Sequence, residues 1–216
     1  MIEYASLRED VVLAARRMAD CGMVVGSSGN VSARVPEEDR FIITPSSLPY
    51  PDLTAEDIVV MDMEGNVLTE GRPPSVEGTV HRKIYAERED VNAIFHTHSP
   101  CATALAAARI PIPAFLEELV PYIGGPVAVS EYAGTASGDL AEKAFKALDD
   151  RAAVLLANHG TLCVGGSLEQ AFHTAELLES SAQIYILARS IGTPADIPAD
   201  TIEMQKMLYS FSKTKG

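Results

Sequence analysis

The chain has 216 residues, 47 % of them hydrophobic, and carries 17 Lys and Arg against 30 Asp and Glu, a net charge of −13. That is the length of one domain with a globular composition, which excludes a disordered or fibrous chain. The acidity excludes a basic nucleic-acid face and repels anionic membranes, and no apolar run reaches the ~18 residues of a membrane-spanning helix.

Leu7, Val11, Ala14, Ala15 and Met18 recur at helical spacing and predict a helix over 6–21, with Ser6 as N-cap and Glu9 completing a capping box. A loop of small residues follows at 26–30. Short strands are expected at 31–35 and 41–44, and a hairpin at 58–62 and 66–68. A helix is predicted to open at Pro73-Pro74-Ser75 and run to about Glu87. The strand-like run 91–95 ends in His96-Thr97-His98, and an Ala-rich helix follows over 100–108. The Pro-rich stretch 109–126 reads as a packed loop, with a short strand at 127–129. A helix at 138–148 precedes a buried strand at 152–157, which also ends in a histidine, within Asn158-His159-Gly160. A last strand at 161–164 and a helix over 168–188, capped by Ser167, complete the periodic part. A polar tail from about 190 holds one short helix.

Strands alternate with helices, yet several strands pair as hairpins, which favours a mixed sheet with helices on its faces within one domain over 1–216. Neither GxGxxG nor GxxxxGK[ST] occurs, so dinucleotide and P-loop readings lose support. Cys21, Cys101 and Cys163 are odd in number, far apart and outside any CxxC pair, so each reads as a small buried hydrophobe in a reducing compartment. The N-terminal segment lacks a basic stretch followed by an apolar one, so the expected location is the cytoplasm.

His96 and His98 lie two apart, a spacing that points both to one face of a strand. With His159 they could close on one metal and leave a fourth position open, the ligand count of a catalytic zinc site. From spacing alone, three satisfied polar histidines fit equally well. His81 and His173 fall within predicted helices, where packing is the preferred reading. Glu77, at a helix start, could be a metal ligand or a general base, and a Glu77–His81 metal pair is a less favoured alternative. Three hydroxyl- and glycine-rich segments, 26–30, 44–47 and Ser75, are ordinary turns singly but together could cradle a phosphate. None contains Lys or Arg, although Arg34 and Arg72 are near in sequence.

The ordered set Gly26-Ser-Ser-Gly-Asn30, Ile43-Thr-Pro-Ser46, Pro74-Ser-Val-Glu77, His96-Thr-His98 and Asn158-His-Gly160 resembles the class II aldolase/adducin family over nearly the whole chain. The resemblance implies a three-layer α/β/α fold around a mixed, mostly antiparallel sheet, and a homotetramer with sites near subunit interfaces. It places zinc on His96, His98 and His159, with manganese, iron, cobalt or nickel as other candidates. It makes Glu77 the acid/base, able to touch the metal when substrate is absent. It puts phosphate contacts on Ser27, Gly29, Asn30, Ser46, Ser47 and Ser75. The implied reaction is retro-aldol cleavage of a ketose phosphate, such as L-fuculose 1-phosphate, to dihydroxyacetone phosphate and an aldehyde. Epimerase, dehydratase or decarboxylase chemistry on the same site and an adducin-like structural module are the alternatives. Two positions depart from the family pattern: Val76 stands where a second serine is common, and Ile112-Pro-Ala114 is not followed by the usual tyrosine. Glu117, Tyr122, Tyr132 and Tyr209 are the candidates for the missing proton donor.

Overall fold

Short apolar runs form six strands, β1 (Asn30–Arg34), β2 (Arg40–Ile43), β3 (Val59–Asp62), β4 (Ala93–Thr97), β5 (Ala153–Leu156) and β6 (Gly160–Gly165). In this computed structural model, which describes residues 2–135 and 137–213, they make one sheet in the order β3-β2-β1-β4-β6-β5. Every neighbouring pair is antiparallel, and the parallel contact found among the described residues is the single bridge Val129–Leu155.

The helices are α1 (Ala5–Asp20), α2 (Gly78–Glu87), α3 (Pro100–Ala108), α4 (Leu119–Ile123), α5 (Gly138–Leu148), α6 (Leu168–Ile191) and α7 (Ala199–Lys213). The two-residue period of the strands sends alternate side chains into two cores. Val31, Phe95 and Cys163 pack with α1, α3 and α6, while Ile43, Ile94 and Leu162 pack with α2 and α5. The strands are buried on both faces because helices cover both, giving the three layers that the resemblance implies. At roughly 1.5–3 kcal/mol per fully buried large apolar side chain, these two cores supply most of the driving force for folding. Among the described residues no helix is long and apolar enough to cross a membrane.

Several elements depart from the sequence expectation, each for a tertiary reason. Helix α1 starts at Ala5, so Ser6 is inside it; Tyr4 holds the N-cap position because its hydroxyl bonds Glu38 and Arg40 at 2.7 Å. Helix α2 starts at Gly78 rather than Pro73. Pro73 precedes a proline and is therefore extended, and the segment instead bridges to Pro45, with Ser75 N bonded to Thr44 O at 3.1 Å. Residues 66–68 and 127–129 make isolated bridges and not strands. The stretch 109–126 holds α4, and the tail holds a 15-residue helix, α7, packed on α4. Cys163 is buried, but Cys21 is exposed and Cys101 only partly covered.

Ser167 caps α6 as expected, accepting from Gln170 N. Ser167→Ala is expected to cost about 1 kcal/mol, read as a lower denaturant midpoint at unchanged slope.

Candidate metal centre

Three elements deliver the three histidines. His96 lies in β4, whose register pairs it with Leu162 of β6 and Asn30 of β1. His98 follows the end of β4, its N–H donating to Met23 O at 2.9 Å. The next helix, α3, is held at its first turn by Glu179, which accepts from Cys101 N and Ala102 N at 2.8 and 2.9 Å. His159 sits in the three-residue loop between β5 and β6, where Asn158 has φ 58° and His159 N donates to Leu156 O. Such loops need one left-handed residue, and asparagine tolerates that conformation better than most.

One ligand atom from each of the three histidines lies within 4.8 Å of the others. Glu77, at the N-cap of α2, faces them: its Oε2 is 3.0 Å from His96 Nε2 and its Oε1 3.1 Å from His159 Nε2. His98 Nε2 is 3.0 Å from His96 Nε2. His96 Nδ1 lies 2.8 Å from Thr161 O. A carbonyl only accepts, which assigns the proton to Nδ1 and leaves the lone pair on Nε2. That lone pair points at a carboxylate oxygen and a second imidazole nitrogen, an arrangement that a cation satisfies. Burial pushes His96 down to about 3, with the neighbouring His98 adding to it. Burial and His96 likewise lower His159 to about 4, against the opposing pull of Glu77. The imidazoles are thereby kept neutral, as metal ligands must be. The donor set fits a cation, and zinc in particular, whose histidine ligands usually donate their second nitrogen to a carbonyl or carboxylate.

Asn30 joins the cluster, its Nδ2 donating to Ser75 Oγ at 2.9 Å and to Glu77 Oε2 at 2.8 Å. Ser46 Oγ donates to Pro74 O, next to Ser75. Gly29 passes under β4, where an added Cβ would lie 2.6 Å from His96 O. Ser27 and Ser47 are exposed in flanking loops, and among the described residues the cluster's side-chain hydrogen bonds run through Asn30, Ser75 and Ser46 instead. The two nearby arginines are committed elsewhere: Arg72 to Asp57 at 2.7 Å, Arg34 to the carbonyls of Tyr85, Arg88 and Val91. Tyr122 and Tyr209 line a cavity with Arg88, Val91 and Val164, at the end of the sheet where β4 begins and β6 ends, away from His96. Tyr132 and Glu117 are exposed.

Sequence reading missed a buried seam behind the site. Ser32 Oγ lies 2.6 Å from His81 Nδ1 and 2.7 Å from Tyr85 OH, and burial pushes His81 down to about 3. Asn30, Ser32 and Arg34 of β1 thus meet Glu77, His81 and Tyr85 of α2. His81 Nδ1 is thus taken by Ser32, and the group of three ligands found among the described residues is His96, His98 and His159, without His81. Its signal was in the sequence: polar residues two apart on a strand facing polar residues four apart on a helix. Also missed was Tyr50, whose hydroxyl donates to Ser28 O and Gly29 O at 3.0 and 2.8 Å and anchors the small-residue loop.

Gly160 is the tightest point. A Cβ there would stand 2.3 Å from Thr97 O and 2.8 Å from His98 Cδ2. Gly160→Ala is expected to displace His98 and to weaken zinc binding by roughly tenfold or more, read by competition with a chelator.

The model of the class II aldolase and adducin N-terminal domain family matches residues 9–186. The chain is 38 % identical over 196 residues to a 5-deoxy-D-ribulose 1-phosphate aldolase of Bacillus thuringiensis, covering 91 % of this chain and 92 % of that protein. It is 38 % identical over 211 residues to a 5-methylthioribulose-1-phosphate/5-deoxyribulose-1-phosphate aldolase of Rhodospirillum rubrum, covering 98 % and 93 %. A solved structure of an L-fuculose 1-phosphate aldolase superposes with a TM-score of 0.92 at 36 % identity, covering 98 % of this chain and 99 % of that one. By sequence and by fold, the chain belongs to the class II aldolase/adducin family.

Proposed function

We propose that the protein is a zinc-dependent aldolase that cleaves a ketose 1-phosphate to dihydroxyacetone phosphate and an aldehyde. The observation that carries this reading is the convergence of three neutral imidazoles and one carboxylate, His96, His98, His159 and Glu77, on a single point. The three relatives named above are all aldolases of 1-phosphorylated ketoses that differ in the rest of the sugar. The proposal therefore commits to that shared head. L-fuculose 1-phosphate and 5-deoxyribulose 1-phosphate are the first substrates to test.

His96, His98 and His159 would hold the metal, with Glu77 beside them. When bound, zinc supplies Lewis-acid stabilisation of the negative charge that develops on the substrate's oxygens. Asn30 and Ser75, with Ser27, Gly29, Ser46 and Ser47 around them, hold the phosphate through neutral donors. That binding positions the carbon–carbon bond to be broken. When the bond breaks, the hydroxyl of the aldehyde half gives up its proton as its carbon becomes a carbonyl, the electron pair stays on the dihydroxyacetone phosphate half, and that half's carbon takes up a proton. Glu77 moves that proton, since its carboxylate is the acid/base group at the histidine cluster. Asn30 holds one carboxylate oxygen by hydrogen bond and so aims the other. No lysine lies in these motifs, in keeping with a reaction that forms no Schiff base. A homotetramer is part of the proposal, supported by the exposed apolar face of α7 that carries Met204, Met207 and Leu208.

The test is hydrogen exchange on dihydroxyacetone phosphate in heavy water by the zinc-loaded protein. Stereospecific loss of one C3 proton is expected. Glu77→Gln should keep zinc and lose exchange by at least about 100-fold, whereas His96→Ala should lose both. Full exchange by Glu77→Gln would remove Glu77 from the reaction. A protein that holds zinc without exchanging points to other chemistry at the same centre, and one that purifies free of metal and binds none points to a structural module.

A further inference from the structure

Behind the histidine cluster, Glu77 and His81 line the same cavity, and the buried His81 Nε2 has no hydrogen-bond partner among the described residues. The rest of its wall is Val80, His96, Leu156 and Leu162, and the space has no room for a water molecule that might bridge them. His81 is completely buried, and one helical turn separates it from Glu77 on the same face of α2.

The hydrogen-bond chain settles which atom of His81 carries the proton. Among the described residues the Tyr85 hydroxyl bonds only Ser32. If Tyr85 donates to Ser32 Oγ and Ser32 donates to His81 Nδ1, every hydroxyl proton is paired and Nε2–H is the single group left over. In the reverse direction both the Tyr85 proton and the Nε2 lone pair are left unpaired in the interior. Unpaired buried polar groups are costly, so the first direction prevails. A buried donor therefore faces the cavity that Glu77 also lines.

Glu77 now occupies the mouth of the cluster, 3.0 and 3.1 Å from two of the three Nε2 atoms. Substrate oxygens approaching that point must displace it, and a displaced carboxylate in a buried site needs a donor. We propose that His81 is a positioning residue for Glu77: its Nε2–H is the second seat of the Glu77 carboxylate, taken when a ligand enters the histidine cluster. The Ser32–Tyr85 pair acts through His81 by holding its tautomer. This inference rests on the aldolase reading for its kinetic consequence alone, since the movement follows from occupancy of the cluster by any two-oxygen ligand.

Two experiments test it. Crystals of the zinc-loaded protein are solved without a ligand and with saturating acetohydroxamate, a two-oxygen zinc ligand that needs no turnover. A Glu77 oxygen is expected within hydrogen-bond distance of His81 Nε2, about 2.7–3.2 Å, in the occupied site. A carboxylate that stays against His96 and His159, or moves elsewhere, overturns the proposal. In the exchange reaction, His81→Leu is expected to keep its zinc and its KM within about twofold while kcat falls roughly tenfold or more. His81→Gln, which returns an N–H near the Nε2 position, should recover to within about threefold of the parent. A Leu variant as fast as the parent, or a Gln variant as slow as Leu, overturns the role. Absence of exchange in the parent itself would sink the aldolase reading and leave the crystals to decide on His81.

Discussion

The centre depends on one hydrogen bond, from His96 Nδ1 to Thr161 O. Because the acceptor is a backbone carbonyl, the imidazole has no choice of tautomer, and its Nε2 lone pair is turned toward Glu77 and His98. Were the proton on Nε2, His96 could donate to Glu77 and the cluster would close on itself as an ordinary polar network. The bond exists because β4 and β6 pair with Thr97 opposite Thr161, and because Gly160 lets the two backbones approach without a side chain between them. The order of strands therefore bears on the chemistry directly. Bringing β4 between β1 and β6 surrounds His96 with a strand that carries Asn30 and a strand that carries the acceptor carbonyl.

The seam between β1 and α2 is the second device, and it works because two periods nearly coincide. Four residues of α-helix advance about 6 Å, and two residues of strand about 6.6–6.8 Å. Polar residues at those spacings stay opposite one another over three rungs: Asn30 with Glu77, Ser32 with His81, Arg34 with Tyr85. Rotating α2 by a single residue would break all three and bury unpaired donors, so the seam fixes the helix about its axis. The start of the helix is fixed independently by the bridge of Pro74 to Pro45. Glu77 is thus held at the junction of two constraints, which suits the acid/base role proposed for it.

Much of this was legible in the sequence, and the gaps have a common cause. Period-2 and period-3.6 patterns located the strands, and the positions at which the histidines leave them, because burial on a sheet or helix face writes itself into local spacing. The helix starts at Ala5 and Gly78 were misread because Tyr4 bonds Glu38, 34 residues away, and because the segment after Pro73 is drawn into a bridge with Pro45. The HxH spacing put His96 and His98 on one face, but neither their 3.0 Å approach nor the tautomer that gives it meaning follows from it, since the tautomer needs Thr161, which lies 65 residues on. Tyr50 was invisible for the same reason, and the Ser32–His81–Tyr85 chain left only the spacing of its polar residues, which does not say which helix the strand will face. Each is a hydrogen bond between elements, and no local pattern encodes which element will be the neighbour.

The distribution of charge carries one more consequence for the proposed reaction. The chain has a net charge of −13, and Glu77 puts a carboxylate beside the serines and asparagine assigned to the phosphate. Arg34 and Arg72, the cations nearest in sequence, are committed to backbone carbonyls and to Asp57. Val76, exposed between Ser75 and Glu77, adds no donor. Neutral hydroxyls and amides can orient a phosphate, but they offer little against the repulsion of a nearby carboxylate. On the proposed function, a cation held by His96, His98 and His159 would supply the positive charge that offsets Glu77. Metal and phosphate would then be coupled, since a cation at the three histidines would also make the neighbouring serines and asparagine more hospitable to an anion.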